Sequence, residues 1–281
     1  MKSISLAMEA PICLLEDLPH ITDFDWVLTH LCEDSEEYLV HYQKMVTDTN
    51  REVILDNSVN ELGEPIGLER MDEVVAKLNP TYIVPPDYLN NVEATLAILD
   101  DAIELWGKSR ILPVLQGTSI EEVTECGEIL KDYYGFDIVS IPYDVMLAHR
   151  SKLPESDPEK ASLTELALGR LAVVSALVDE GILFNRYHLL GMNTLGEFEF
   201  YKEQSYWKVQ TGWGMFSPTL SIDTGAPITN AVWNRKFGID CLIPKGVYFN
   251  YYDYNEFLEP DIKETWYWNT CMLRGSLSGK Q

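Results

Sequence analysis

Positive charge is what this chain has least of: 21 Lys and Arg stand against 45 Asp and Glu, a formal net charge of -24 at pH 7. Such a balance favours solubility and excludes a broad basic groove for nucleic acid; only a local basic strip on an acidic surface would suit a polyanionic partner. Cysteine is sparse too. Cys13, Cys32, Cys126, Cys241 and Cys271 are odd in number and scattered, which argues for reduced thiols rather than a disulfide framework. There is no C-x-x-C or H-E-x-x-H spacing, so no metal, zinc included, is expected. Long apolar runs are missing as well. The first is broken at Glu9 and Pro11, which speaks against a signal peptide, and none elsewhere is long enough to span a membrane. The expectation is a soluble, cytoplasmic protein with no membrane partner.

What is present points to one architecture. The 281 residues, 46% of them hydrophobic, suit a single (β/α)8 TIM-type barrel spanning 1–281, for which ~250 residues is typical. Short apolar runs alternate with helical patterns throughout. The strands read as Trp26–Leu31, Val53–Leu55, Tyr82–Pro85, Ile111–Leu115, Ile138–Pro142, Tyr187–Gly191 and Thr219–Ile222, with Cys241-Leu242-Ile243 as an eighth. Residues 3–11 read as a short strand or a barrel plug. Helices are expected over 36–46 behind a Ser35 cap, 68–78, from Asn90-Asn91 to Trp106, 120–134, 163–180, 194–206 and 262–277. A Pro- and charge-rich loop covers 151–160, and an aromatic-rich extension closes the chain.

The chemistry gathers at strand ends. Val53-Ile54-Leu55 runs into Asp56-Asn57-Ser58, Tyr82-Ile83-Val84-Pro85-Pro86 into Asp87, Ile111-Leu112-Pro113-Val114-Leu115 into Gln116-Gly117, and Leu220-Ser221-Ile222 into Asp223-Thr224-Gly225. In a parallel barrel such residues converge on one face, which places three carboxylates and an amide in one pocket. Paired carboxylates suit glycosidic-bond chemistry, one as nucleophile and one as proton carrier. A nucleophilic Asp223 must be ionised, and Thr224 with the following turn amides is expected to donate hydrogen bonds to it. Taken singly, an acid after a strand is most often a cap or turn former. His188, inside an apolar strand, reads as a satisfied core histidine.

Asp56-Asn57-Ser58, Pro86-Asp87, Val114-Leu115-Gln116-Gly117, His188-Leu189-Leu190-Gly191 and Ile222-Asp223, in that order between Trp26 and Pro227, resemble the tRNA-guanine transglycosylase superfamily, most closely its short phage branch that inserts 7-deazaguanines into DNA. The resemblance implies a pentosyltransferase that exchanges guanine in DNA for a 7-deazaguanine such as the 7-cyano form. Asp223 would be the nucleophile and Asp56 the general acid/base. Asp87, Gln116 and Gly117 would bind the base edge, backbone at Ser140 and Ile141 would help read it, and Leu190, Gly191 and Met192 would pack on its face. No organic cofactor is implied. The zinc site of the tRNA-modifying relatives has no counterpart beyond the isolated Cys241 and Cys271, which favours DNA over tRNA as the partner. A phage origin would make the location the host cytoplasm.

The polymer needs positive charge near Asp223. Arg235, Lys236 and Lys245 face a single acid, Asp240, between Thr224 and Tyr252, and form the expected phosphate-contacting strip. The aromatics Tyr248, Phe249, Tyr251, Tyr252 and Tyr254 read first as packing and second as base-stacking residues. Alternatives stay open: exchange on tRNA, a barrel glycosidase or lyase acting on a small substrate, or a barrel that binds a deazapurine without turnover. A homodimer, or a partner protein supplying basic surface, is equally open.

Overall fold

Eight short parallel strand segments form a closed ring, and the residues they expose at their C-terminal ends make up the site. The computed structural model describes residues 4–49, 51–145, 163–192, 209–211, 214–216, 218–233, 235–236 and 258–278. The strands are β1 (Ser5–Leu6), β2 (Asp25–Leu28), β3 (Val53–Asp56), β4 (Tyr82–Ile83), β5 (Ile138–Ile141), β6 (Arg186–Leu189), β7 (Val209–Thr211), β8 (Gly214–Phe216) and β9 (Thr219–Ile222). Two parallel sheets, β1-β9-β6-β5 and β2-β3-β4, account for seven positions of the ring. The eighth is the segment 111–114, bridged in parallel to Ile83 on one side and to Ser140 on the other. At the remaining seam the Asp23 amide donates to the Leu6 carbonyl at 2.7 Å, and the Leu6 amide to Asp23 Oδ2 at 2.9 Å. The antiparallel pair β7-β8 stands outside the ring, just before β9.

The barrel is therefore counted differently from the sequence reading. Residues 5–6 are a ring strand and no plug, with Ser5 opposite Ser221 and Leu6 opposite Ile222. The expected first strand is the second and stops at Leu28, because Thr29 opens the short helix Thr29–Asp34 and its hydroxyl donates to the Asp56 carbonyl at 2.5 Å. Asp223 accordingly follows the eighth ring strand rather than the seventh. Cys241-Leu242-Ile243, the helix expected over 194–206 and the 151–160 loop lie outside the described residues, and the ring is complete without them.

Most helices follow their apolar spacing. Over Leu68–Leu78 the buried residues are Met71, Val74, Val75 and Leu78, one face of the helix, each side chain contributing about 1.5–3 kcal/mol when fully buried. Ser35 caps Glu36–Asp48 by accepting the Tyr38 amide at 3.2 Å. The helix expected from 90 to 106 is broken at Ile98 into Val92–Ala97 and Leu99–Trp106. The helix expected over 120–134 runs as an α-helix over Ile120–Glu128 and as a π-helix over Ile129–Tyr133; Leu163–Asp179 and Pro260–Ser278 follow, and Asn269 of the latter ties down the helix Ala226–Val232 through the Pro227 carbonyl at 3.1 Å.

Register decides which side chains fill the barrel. Ser140, His188 and Ser221 pair across β5, β6 and β9 and share one level and one side. Two residues below His188, Arg186 reaches the rings of Phe24 and Tyr82 and the carboxylate of Glu52. One guanidinium can meet groups from that many strands only inside the ring, so Arg186, His188, Ser221 and Asp223 form an ascending interior series.

Candidate active site

Asp223 stands one residue beyond β9 and is almost fully buried, 2% exposed. Its carboxylate accepts the Gly191 amide, 3.2 Å from each oxygen, and Oδ1 lies 3.1 Å from His188 Nε2. Gly191 sits at φ +60°, a left-handed turn that glycine adopts without strain and that aims its amide at the acid. Glu9, beyond the tip of β1, also hydrogen-bonds Asp223 through its side chain. Burial pushes Asp223 up to about 7, while the Gly191 amide, the charge of Arg170 and the Glu9 hydrogen bond pull the other way. The expected donor Thr224 is engaged elsewhere. Its hydroxyl bonds the Met192 carbonyl and accepts the Ala226 amide at 3.0 Å, because it sits where the next helix begins and must satisfy that end.

Asp56 ends β3, and its Oδ2 accepts the Ser58 amide at 2.8 Å. Ser58 holds φ +63° to make that turn. Burial raises the Asp56 carboxyl well above the usual range, and the charges of Asp87, Asp223 and Glu9 add to this against the pull of the Ser58 amide. The same burial and the charges of Glu9 and Asp56 raise Glu61, whose Oε2 is buried without a hydrogen-bond partner among the described residues.

Asp87 is held by two amides. Asn57 Nδ2 donates to its Oδ1 at 2.7 Å and Gln116 Nε2 to its Oδ2 at 2.5 Å. Gln116 in turn accepts the Asn90 amide on Oε1 at 2.8 Å, and Asn57 accepts the Val59 amide at 2.9 Å. Gln116 and Asn57 therefore clamp Asp87 from both sides. Gly117, at φ +145°, lets the chain pass Val123, whose atoms would lie 2.9 Å from an added Cβ.

Of the other residues singled out, Ser140 points into the barrel with its hydroxyl buried and without a hydrogen-bond partner among the described residues, whereas Ile141 shares the level of Leu189 on the opposite side of the sheet. Leu190 and Met192 are buried beside Asp223. Arg235 and Lys236 are exposed and approach the rings of Trp233 and Trp268. They follow the helix Ala226–Val232, where the chain turns back: the Arg235 amide donates to the Asn230 carbonyl at 2.8 Å, and Asn269 Nδ2 donates to both the Pro227 and the Arg235 carbonyls at 3.1 Å. Lys245 and the aromatics 248–254 lie outside the described residues.

Three participants escaped sequence reasoning. Glu9 had a signal, since the run Ile4–Met8 ends in an acid as the other strands do. Arg170, fully buried and donating to the Leu190 carbonyl at 2.6 Å, had one as the lone charge in an apolar helical stretch. His188 reads in the sequence as a satisfied core histidine within the motif His188-Leu189-Leu190-Gly191, and its 3.1 Å approach to Asp223 depends on the register of β6 with β9. Among the described residues, no group of three or more His, Cys, Asp or Glu is placed to hold a metal ion, and no helix is long and apolar enough to cross a membrane.

No protein-family profile matches the chain, and no curated protein does. Solved structures do. Two variants of the tryptophan synthase alpha-subunit of Pyrococcus furiosus, 10% and 11% identical, cover 99% of this chain and of their own at a TM-score of 0.52. CitE from Mycobacterium tuberculosis, in complex with magnesium, acetoacetate and coenzyme A, is 10% identical over 96% of this chain and 98% of its own, at 0.43. The likeness to the tryptophan synthase alpha-subunit establishes the (β/α)8 barrel fold. The resemblance to tRNA-guanine transglycosylases is overturned, because that alpha-subunit belongs to another barrel family and no sequence match supports the superfamily. The physical reason is plain. Short acid and amide motifs at strand ends are what parallel barrels use generally, so their order along the chain carries less family information than it suggests.

Proposed function

We propose that this barrel is an enzyme of glycosyl transfer acting on the N-glycosidic bond of a guanine-type nucleoside unit. The observation that carries the reading is the division of labour among three buried carboxylates. Asp56 is pushed well above the usual range and can hold a proton, Asp223 is pushed only to about 7 and receives donors that favour its ionised form, and Asp87 is fixed by neutral amides. In the first step an Asp223 oxygen attacks C1′, the C1′–N bond breaks with its electron pair passing to the base, and Asp56 delivers its proton to that base. In the second, Asp56 takes a proton from the incoming base, whose nitrogen attacks C1′ and releases Asp223. The donor-rich edge of guanine suits Asp87. The finer reading is exchange of guanine in DNA for a 7-deazaguanine, the target base being flipped out or unpaired so that C1′ is reachable.

A second reading, a free nucleoside or other small glycoside as substrate, is favoured by the net charge of -24. One experiment separates them. The protein is incubated with radiolabelled guanine and, separately, guanine-containing DNA, unmodified tRNA or guanosine. Label in DNA supports the finer reading, label in tRNA moves the polymer, and label in guanosine alone supports the second reading. Label in none of the three defeats both.

A further inference from the structure

The proposed nucleophile is tied to the opposite end of the barrel by a continuous line of polar side chains. Glu52 accepts both guanidinium nitrogens of Arg186, at 2.8 and 2.5 Å. Arg186 Nε donates to Ser221 Oγ at 3.1 Å, Ser221 Oγ lies 3.0 Å from His188 Nδ1, and His188 Nε2 lies 3.1 Å from Asp223 Oδ1. The imidazole is fully buried, stacked on Trp26 at 4.7 Å with 13° between planes and met edge-on by Phe24. It has no freedom to rotate away.

We propose that His188 is a positioning residue, held as the neutral Nε2–H tautomer by Ser221 and Arg186 so that it donates to Asp223 and aims one carboxylate oxygen for attack. The hydrogens available along this line fix the tautomer. Arg186 is donor only, so Ser221 accepts from it and its hydroxyl hydrogen is left for His188 Nδ1. With Nδ1 accepting, the ring hydrogen of a neutral imidazole sits on Nε2, facing an acid that in its ionised form can only accept. Burial and the charges of Arg186 and Arg170 keep the ring neutral, with Glu52 opposing them, and Glu9 shares Asp223 from the other side. The strand register makes this line possible. His188 and Ser221 are direct partners, and Arg186 and Asp223 are each two residues from them on the same side.

The catalytic consequence rests on the glycosyl-transfer reading, but the tautomer does not, so they are tested separately. In uniformly 15N-histidine-labelled protein, the His188 signals, assigned by their loss in His188→Gln, should show a single Nε2–H tautomer from pH about 6 to about 8. Ser221→Ala should convert them to a mixture of tautomers. A ring protonated at pH 7, an Nδ1–H form, or a Ser221→Ala spectrum unchanged from that of the parent protein would overturn the assignment whether or not the protein exchanges bases. Where wild-type exchange is observed, His188→Leu should lower kcat about 100-fold or more with little change in KM. His188→Gln, which keeps an N–H near the Nε2 position, should recover most of that loss. Equal losses in the Leu and Gln variants, with both retaining the wild-type thermal midpoint, would mean that the donor to Asp223 does not matter.

Discussion

Asp223 and Asp87 follow strands on opposite sides of the same ring, are both nearly inaccessible to water, and are held in contrasting ways. Asp87 is gripped by the side-chain amides of Asn57 and Gln116, groups that cannot titrate, at 2.7 and 2.5 Å. Asp223 meets a backbone amide, an imidazole and a second carboxylic acid, with the charge of Arg170 within reach. An acid clamped by amides keeps one geometry through a reaction and suits recognition. An acid among titratable neighbours can change its proton and its bonding during a turnover, which is what a covalent step requires. The two halves of the pocket thus differ in mobility of charge rather than in residue type.

The contrast breaks most sharply at Asp223. Asp223→Asn should lower base exchange about 1000-fold or more and abolish a covalent glycosyl adduct detectable by mass spectrometry, while binding of the free base is retained. Asp56→Asn should lower exchange by about 100- to 10000-fold and flatten the pH dependence of kcat that a protonated acid imposes. On the recognition side the loss should fall on affinity. Asp87→Asn should weaken base binding by about 1–3 kcal/mol, read by calorimetry, with a smaller change in kcat.

Stability should move in the opposite direction at the reactive acid. Asp223 carries a folded-state value near 7 against an ordinary value of 3.8, so the folded protein binds more protons than the unfolded chain between those limits. Its contribution is fully present below the lower value and is lost as pH rises through the upper one. Asp223→Asn should therefore raise the thermal midpoint by about 3 °C or more at pH 8 and by much less at pH 4. The smallest effect is expected at Gly191→Ala. Among the described residues an added side chain meets only Tyr143, at 3.6 Å, but φ +60° costs it about 1–2 kcal/mol. The thermal midpoint should fall modestly as the amide aimed at Asp223 is strained.

Much of this site is legible in the sequence. A run of apolar residues ending in Asp56, Asp87, Gln116 or Asp223 is a local pattern, and a buried parallel strand has to end where its chain becomes polar. The same rule applied to Ile4–Met8 would have found Glu9. What was misread was long-range. The strand count shifted by one because the pairing of Ser5 with Ser221, 216 residues apart in the chain, leaves no mark on either segment. The family resemblance failed for a related cause, since strand-end motifs report the architecture before they report descent.

The sequence by itself determined that the chain is an alternating α/β barrel with acids at its strand tips, because hydrophobic periodicity and turn residues act within a few residues of themselves. Only the tertiary structure decided which acid faces which donor. That outcome depends on strand register, and a shift of one residue would turn His188, Ser221 and Asp223 out of the barrel together. It also took the fold to remove these groups from water, which raises the proton affinity of both Asp56 and Asp223.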